Sequence, residues 1–156
     1  MAAWLLINFS LTAQASTTQH LDYEKMRGVE VAIMPKTVTT RQNLDENSIL
    51  KSGCVYRSGD KLAIAGLIKL MTESKLQISS DNGREIILRN FVRFSSPDGD
   101  TSLQFGEPQG GKMLSGSIHN KDGSSSVAIE GEFIPNLRNW IISNQLQIQS
   151  GPAACH

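Results

Sequence analysis

The sequence predicts an all-β fold, a single-domain antiparallel β-sandwich with a small β-barrel as the alternative. Three observations carry that expectation. Short segments alternate apolar and polar residues, the period of a half-buried strand. Turn-forming clusters recur about every 8–12 residues, the spacing of sandwiches and barrels. No segment shows a helical period clearly stronger than its alternation. Eight or nine short strands result.

Taken in order, Val29, Val31 and Ile33 alternate with Glu30, Ala32 and Met34, and Pro35 ends the run. The β-branched residues 37–40 extend the strand past the proline. Residues 41–53 are polar and read as a loop or one helical turn. Leu62, Ile64, Gly66, Ile68 and Leu70 share one face of an extended segment, with Ala63, Ala65 and Leu67 on the other. Such a strand is buried on both sides. Leu76 and Ile78 form a short strand, and Ser80-Asp81-Asn82-Gly83 supplies a hairpin turn, since Asn-Gly accepts positive φ.

Ile86, Leu88, Val92 and Phe94 then oppose Ile87, Arg89, Phe91 and Arg93. Pro97-Asp98-Gly99-Asp100 is the next turn. Leu103 and Phe105 mark a strand, followed by a glycine-rich loop over 106–111. Leu114, Gly116 and Ile118 pair with Val127, Ile129, Gly131 and Phe133 through a hairpin over 119–124 that carries Asp122-Gly123. Pro135 breaks that run. Trp140, Ile142, Leu146 and Ile148 alternate with Ile141, Ser143, Gln145 and Gln147, which favours a strand over 140–149. A helix over 137–144 competes, because Leu137, Trp140 and Ile141 also match helical spacing.

Residues 1–15 read as a secretory signal, leaving 16–156 as one β-rich domain. The apolar run AAWLLINFSL is shorter than the ~20 residues a bilayer span needs. It ends at Ala13-Gln14-Ala15, the small-x-small pattern of a cleavage site. A signal normally opens on a basic residue and none precedes Lys25, which leaves open whether Met1 is the true start. The competing reading is a buried N-terminal strand of a cytosolic domain. No later segment is apolar enough to insert the mature chain into a membrane. The expected location is the bacterial periplasm or the exterior.

Lys plus Arg and Asp plus Glu both number 15. A balanced chain without a block of like charge offers no electrostatic footprint for nucleic acid. Two cysteines in an exported chain favour a bridge, here Cys54 to Cys155.

Candidate chemistry is sparse. His119 opens a loop near Ser115, Ser117 and Asp122, but no nucleophile elbow accompanies it. Glu130 and Glu132 would share one strand face, about 7 Å apart, as paired carboxylates can. A solvated outer face looks the same. Asp81, Asn82, Asp98, Asp100 and Asp122 could give calcium its oxygens only if two loops met. Cys54, Cys155, His119 and His156 lack the spacing of a metal site. Phe91, between Arg89 and Arg93, is the best stacking candidate, although packing against another layer is the plainer account. Tyr56 is expected to pack around the bridge. No catalytic, cofactor-binding or metal residue is therefore assigned, and the chain is not expected to be an enzyme.

The expected function is that of an exported, non-catalytic protein-binding module, inhibitor- or immunity-like. The alternative is a fimbrial or adhesin-type subunit assembled by strand addition, with 28–34 as the donor strand. A small exported hydrolase ranks third.

Overall fold

The computed structural model describes residues 24–35, 44–79, 86–106 and 112–155. The fold is predominantly β and antiparallel, as predicted. Among the described residues all eight strands lie in one sheet, not closed into a barrel, and helices rather than a second sheet cover it. The strands are β1 (Gly28–Ile33), β2 (Cys54–Ser58), β3 (Gln77–Ile78), β4 (Asn90–Ser95), β5 (Thr101–Phe105), β6 (Met113–Asn120), β7 (Gly123–Glu130) and β8 (Ile148–Ser150). Their order across the sheet is β3-β7-β6-β5-β4-β1-β2-β8. Among the described residues three α-helices accompany them: α1 (Glu46–Ser52), α2 (Lys61–Glu73) and α3 (Phe133–Ser143).

The order explains the layering. Helix α2 carries the chain from β2 at one end of the sheet to β3 at the other. Helix α3 carries it back from β7 to β8. Both crossovers use the same face, where the two helices pack on each other and on Val29, Val31, Val92, Phe94, Leu103, Phe105, Leu114, Val127 and Ile129. Gly116 sits on this face opposite Phe105, whose ring fills the space beside it. A Cβ there would lie 2.5 Å from the Gln104 carbonyl oxygen and 2.6 Å from the Phe105 ring.

Two segments expected as strands are these helices. Over 62–70 the apolar residues fill both parities, which suits a strand buried on two faces. The same residues make the stripe Ala63, Ile64, Leu67 and Met71, all buried on α2, while Leu62 is 82% exposed. Asp60 decides the matter by capping the helix, its carboxylate accepting the Leu62 N–H at 3.0 Å. In α3 the buried stripe is Phe133, Leu137, Trp140 and Ile141. The strand preferred for 140–149 forms only at Ile148–Ser150. Pro135 does not break the segment. It lies in the first turn, where its missing N–H has no helical partner to lose.

Both helices stop in the same way. Lys75 and Gln145 adopt left-handed φ of 54° and 52°. The following leucines, Leu76 and Leu146, donate their N–H groups back to the carbonyls of Met71 and Ile141. Residues 41–53 were expected as loop or one helical turn, and α1 supplies seven helical residues there, capped by Asp45. It lies on the opposite sheet face, where Ile49 packs with Ala32, Met34, Val55, Leu88 and Phe91.

A disulfide joins Cys54 to Cys155, as predicted, across a sequence separation of 101. It pins the C-terminal segment to the first residue of β2. Residues 1–23, 37–40 and 80–83, with the expected signal, strand extension and Asn-Gly turn, lie outside the described residues, as does most of the 106–111 loop.

Candidate functional site

The α1 side of the sheet carries most of the polar side chains that could meet a ligand. Strand register lines them up in cross-strand rungs. One rung runs Arg57, Glu30, Arg93, Ser102, His119, Ser124 from β2 to β7. The next runs Val55, Ala32, Phe91, Gln104, Ser117, Ser126.

The β1–β4 half of this face is closed by charge pairing. Glu30 is buried and takes Arg57 at 2.5 Å and Arg93 at 3.3 Å on its two carboxylate oxygens. Arg93 also reaches Glu46 of α1 at 2.7 Å, and its guanidinium lies 4.9 Å from the centre of the Phe91 ring. Gln104 donates to the other Glu46 oxygen at 3.0 Å. Burial is the largest influence on Glu46 and opposes its ionisation. Hydrogen bonds from Ser102, Gln104 and Arg93, with the Arg93 charge, outweigh it and hold the carboxyl below its ordinary range. Glu30, Arg57, Arg93 and Glu46 are therefore all paired, and the pairing fixes α1 on the sheet.

The β5–β7 half is different. Gln104, Ser115, Ser117, His119, Ser124, Ser126 and Ala128 are all at least partly exposed on it. Apart from Ala128 these side chains are polar, and four of them are serines. Ser117 Oγ lies 2.8 Å from His119 Nε2, because residues i and i+2 of a strand share a face.

The structure sorts the residues singled out by sequence. His119 does meet Ser117, but no described carboxylate hydrogen-bonds its ring, and Asp122 sits in the β6–β7 turn. An activated nucleophile needs its base oriented by a third group. Glu130 and Glu132 do not share a strand face. Strand β7 ends at Glu130, which pairs with Lys75 at 2.6 Å, while Glu132 precedes the first turn of α3. The Lys75 ammonium is raised above its ordinary range by that hydrogen bond and charge. Phe91 is fully buried beneath α1 and offers no stacking platform. Tyr56 packs half-buried against the helix-side core, two residues along β2 from the bridge.

The two loops required for calcium do meet. The β4–β5 and β6–β7 turns line a cleft of about 200 Å³ with Asp98, Asp100, Asn120 and Asp122. Lys25 also lines it and pairs with Asp98 at 3.4 Å. Among the described residues no group of three acidic, histidine or cysteine side chains is placed to hold a metal ion. Asp81, Asn82 and His156 lie outside the described residues.

Sequence reasoning found Ser115, Ser117 and His119 but missed Glu30, Glu46, Arg57, Arg93 and Gln104 as one network. Alternation places Glu30 and Arg93 on the α1 side of their own strands. The register that joins them is non-local and leaves no mark in the sequence. No protein-family model, curated protein or solved structure matches this chain.

Proposed function

We propose that this chain is an exported, non-catalytic binding module that takes a protein partner on the β5–β7 half of its polar sheet face. The observation that carries the reading is the composition of that face. Ser117, His119 and Ser126 present donors and acceptors on compact side chains held by a paired sheet. Little conformational entropy is lost when such groups are fixed by a partner. Export rests on the leader pattern over 1–15, and the Cys54–Cys155 bridge is compatible with an oxidising compartment.

The test is capture of the partner from the native cell envelope with the tagged, oxidised chain, beside Ser117→Arg and Ser126→Arg variants. Both substitutions add bulk and charge to the face without touching the core. Recovery of the partner should fall about tenfold or more with each variant. Equal recovery would place the partner elsewhere and sink this reading. The N-terminus of the native protein should be Ser16. A native protein with free Cys54 and Cys155 thiols would remove export.

The Ser117–His119 contact favours one second reading, a weak serine hydrolase. It ranks below the first because the imidazole lacks an orienting group among the described residues. A fluorophosphonate probe should leave Ser117 unlabelled. The strand-donor alternative loses its candidate segment, since β1 is already paired on both sides by β2 and β4.

A further inference from the structure

The two ends of the sheet differ in a way that points to a second copy of the chain. At one end β3 has only two residues, with the Lys75–Glu130 ion pair beside it. Charged side chains, above all lysine, are a common means of blunting an exposed strand edge. At the other end β8 pairs with β2, and no described strand pairs with its outer side. The stretch 139–155, which contains β8 and the second half of α3, has no Asp, Glu, Lys or Arg. In a chain that is 19% charged, about three would be expected there. Strand β8 is also short, with a register shift against β2, but the charge that blunts the β3 edge is missing here.

A groove of about 390 Å³ with a mixed lining lies beside it. Tyr56, Ile141, Ile142, Leu146 and Ile148 line it together with two glutamines. Ile142 is 73% exposed, the largest exposure of any large apolar residue of α3.

We propose that two copies join β8 to β8, antiparallel, across a two-fold axis normal to the sheet, making one continuous sheet of two eight-stranded halves. The charge pattern selects this occupant. In an isologous contact every residue meets the same surface on its partner, so any charge near the axis would face its own like. An edge without charge carries no such penalty. The geometry agrees, because an antiparallel two-fold pairing keeps both α3 helices on the same side of the sheet. Ile142 and Leu146 of each copy then cover the groove of the other. The inference does not depend on the binding face proposed above, which lies at β5–β7.

The test is sedimentation velocity on the oxidised full chain over about a hundredfold concentration range, with Ile142→Lys and Gln149→Lys as separate variants. Both positions are exposed, and hydrogen exchange of β4 and β6 reports whether each variant is folded. The wild type should reach twice the monomer mass, and amides 148–150 should gain protection as concentration rises. Each lysine should raise the dissociation constant about tenfold or more. A wild type that stays monomeric throughout overturns the proposal. So does a dimer whose dissociation constant neither lysine changes.

Discussion

Trp140 donates its indole N–H to the main-chain carbonyl of Ala63 at 3.1 Å, joining α3 to α2 across 77 residues of sequence. The two helices are the connections that cross the sheet in opposite directions, so this bond ties the start of one crossover to the end of the other. Trp140 is also 8% exposed and part of the core. Trp140→Phe should keep most of the apolar contact and lose the bond, costing about 1–2 kcal/mol. Trp140→Ala should cost about 3–5 kcal/mol by adding a cavity. Urea midpoints at constant m-value check both. A Trp140→Phe variant as stable as the wild type would show that the bond carries nothing of its own.

Glycine at two positions should respond to alanine with opposite sign. Gly66 lies in the middle of α2, and a Cβ there would meet Trp140 Nε1 at 3.5 Å, an ordinary contact. Gly66→Ala should therefore stabilise the protein by about 0.5–1 kcal/mol, the helix-propensity difference. Gly116 has no such room, since its Cβ would sit within 2.6 Å of Gln104 and Phe105 atoms. Gly116→Ala should destabilise by about 1–3 kcal/mol through forced displacement. Thermal unfolding of the two single variants reads the sign directly.

Removal of the bridge should loosen one end of the sheet before the rest. The bridge closes a separation of 101 residues, for which the chain-entropy account gives about 4.7 kcal/mol and native bridges about 2–5 kcal/mol. Strand β8 has only two register pairs with β2, and its register shifts between them. Little else of the sheet ladder holds it. A Cys54→Ala, Cys155→Ala double variant should lose about 2–5 kcal/mol of global stability. Its β8 amides should exchange earlier than those of β4 and β6. Uniform acceleration across the sheet would contradict this.

The strands that alternate cleanly were legible in the sequence. Val29, Val31 and Ile33, Leu103 and Phe105, and the β6–β7 hairpin closed by Asp122-Gly123 fold where the period places them, except that β7 stops at Glu130 and Phe133, read as its continuation, opens α3. Alternation failed at 62–70 because a run apolar at both parities fits a strand buried on two faces and a helix buried on one. Length and the cap should have arbitrated, since Asp60 opens a segment of thirteen helical residues. At 140–149 a helix end and a strand follow each other without a charge or proline between them. Leu137, Trp140 and Ile141 held the helical signal, but it spans barely two turns. The bridge was legible because two cysteines allow one pairing. The Glu30–Arg93–Glu46 network was not, because it joins three segments whose register the sequence does not state.

Acid should weaken the fold through α1. Glu46 ties this helix to β4 and β5 through Arg93 and Gln104, and its folded pKa lies below the ordinary value despite burial. Asp45 moves in the same direction, because the Ser48 N–H at 2.7 Å and its hydroxyl favour the carboxylate at the helix start. A carboxylate with a depressed folded pKa stabilises the native state fully above its unfolded pKa, about 4.3 for glutamate. That contribution disappears as pH falls through the lower folded value. Stability from denaturant titrations should thus be flat near neutrality with respect to this group and should decline below about pH 4. Glu46→Gln should lower stability at pH 7, where Arg93 loses a charged partner, and should change little at the acid end. The gap between the two proteins should close as pH falls. A gap that stays constant down to the acid limit would mean that the Glu46 charge does not hold α1 in place.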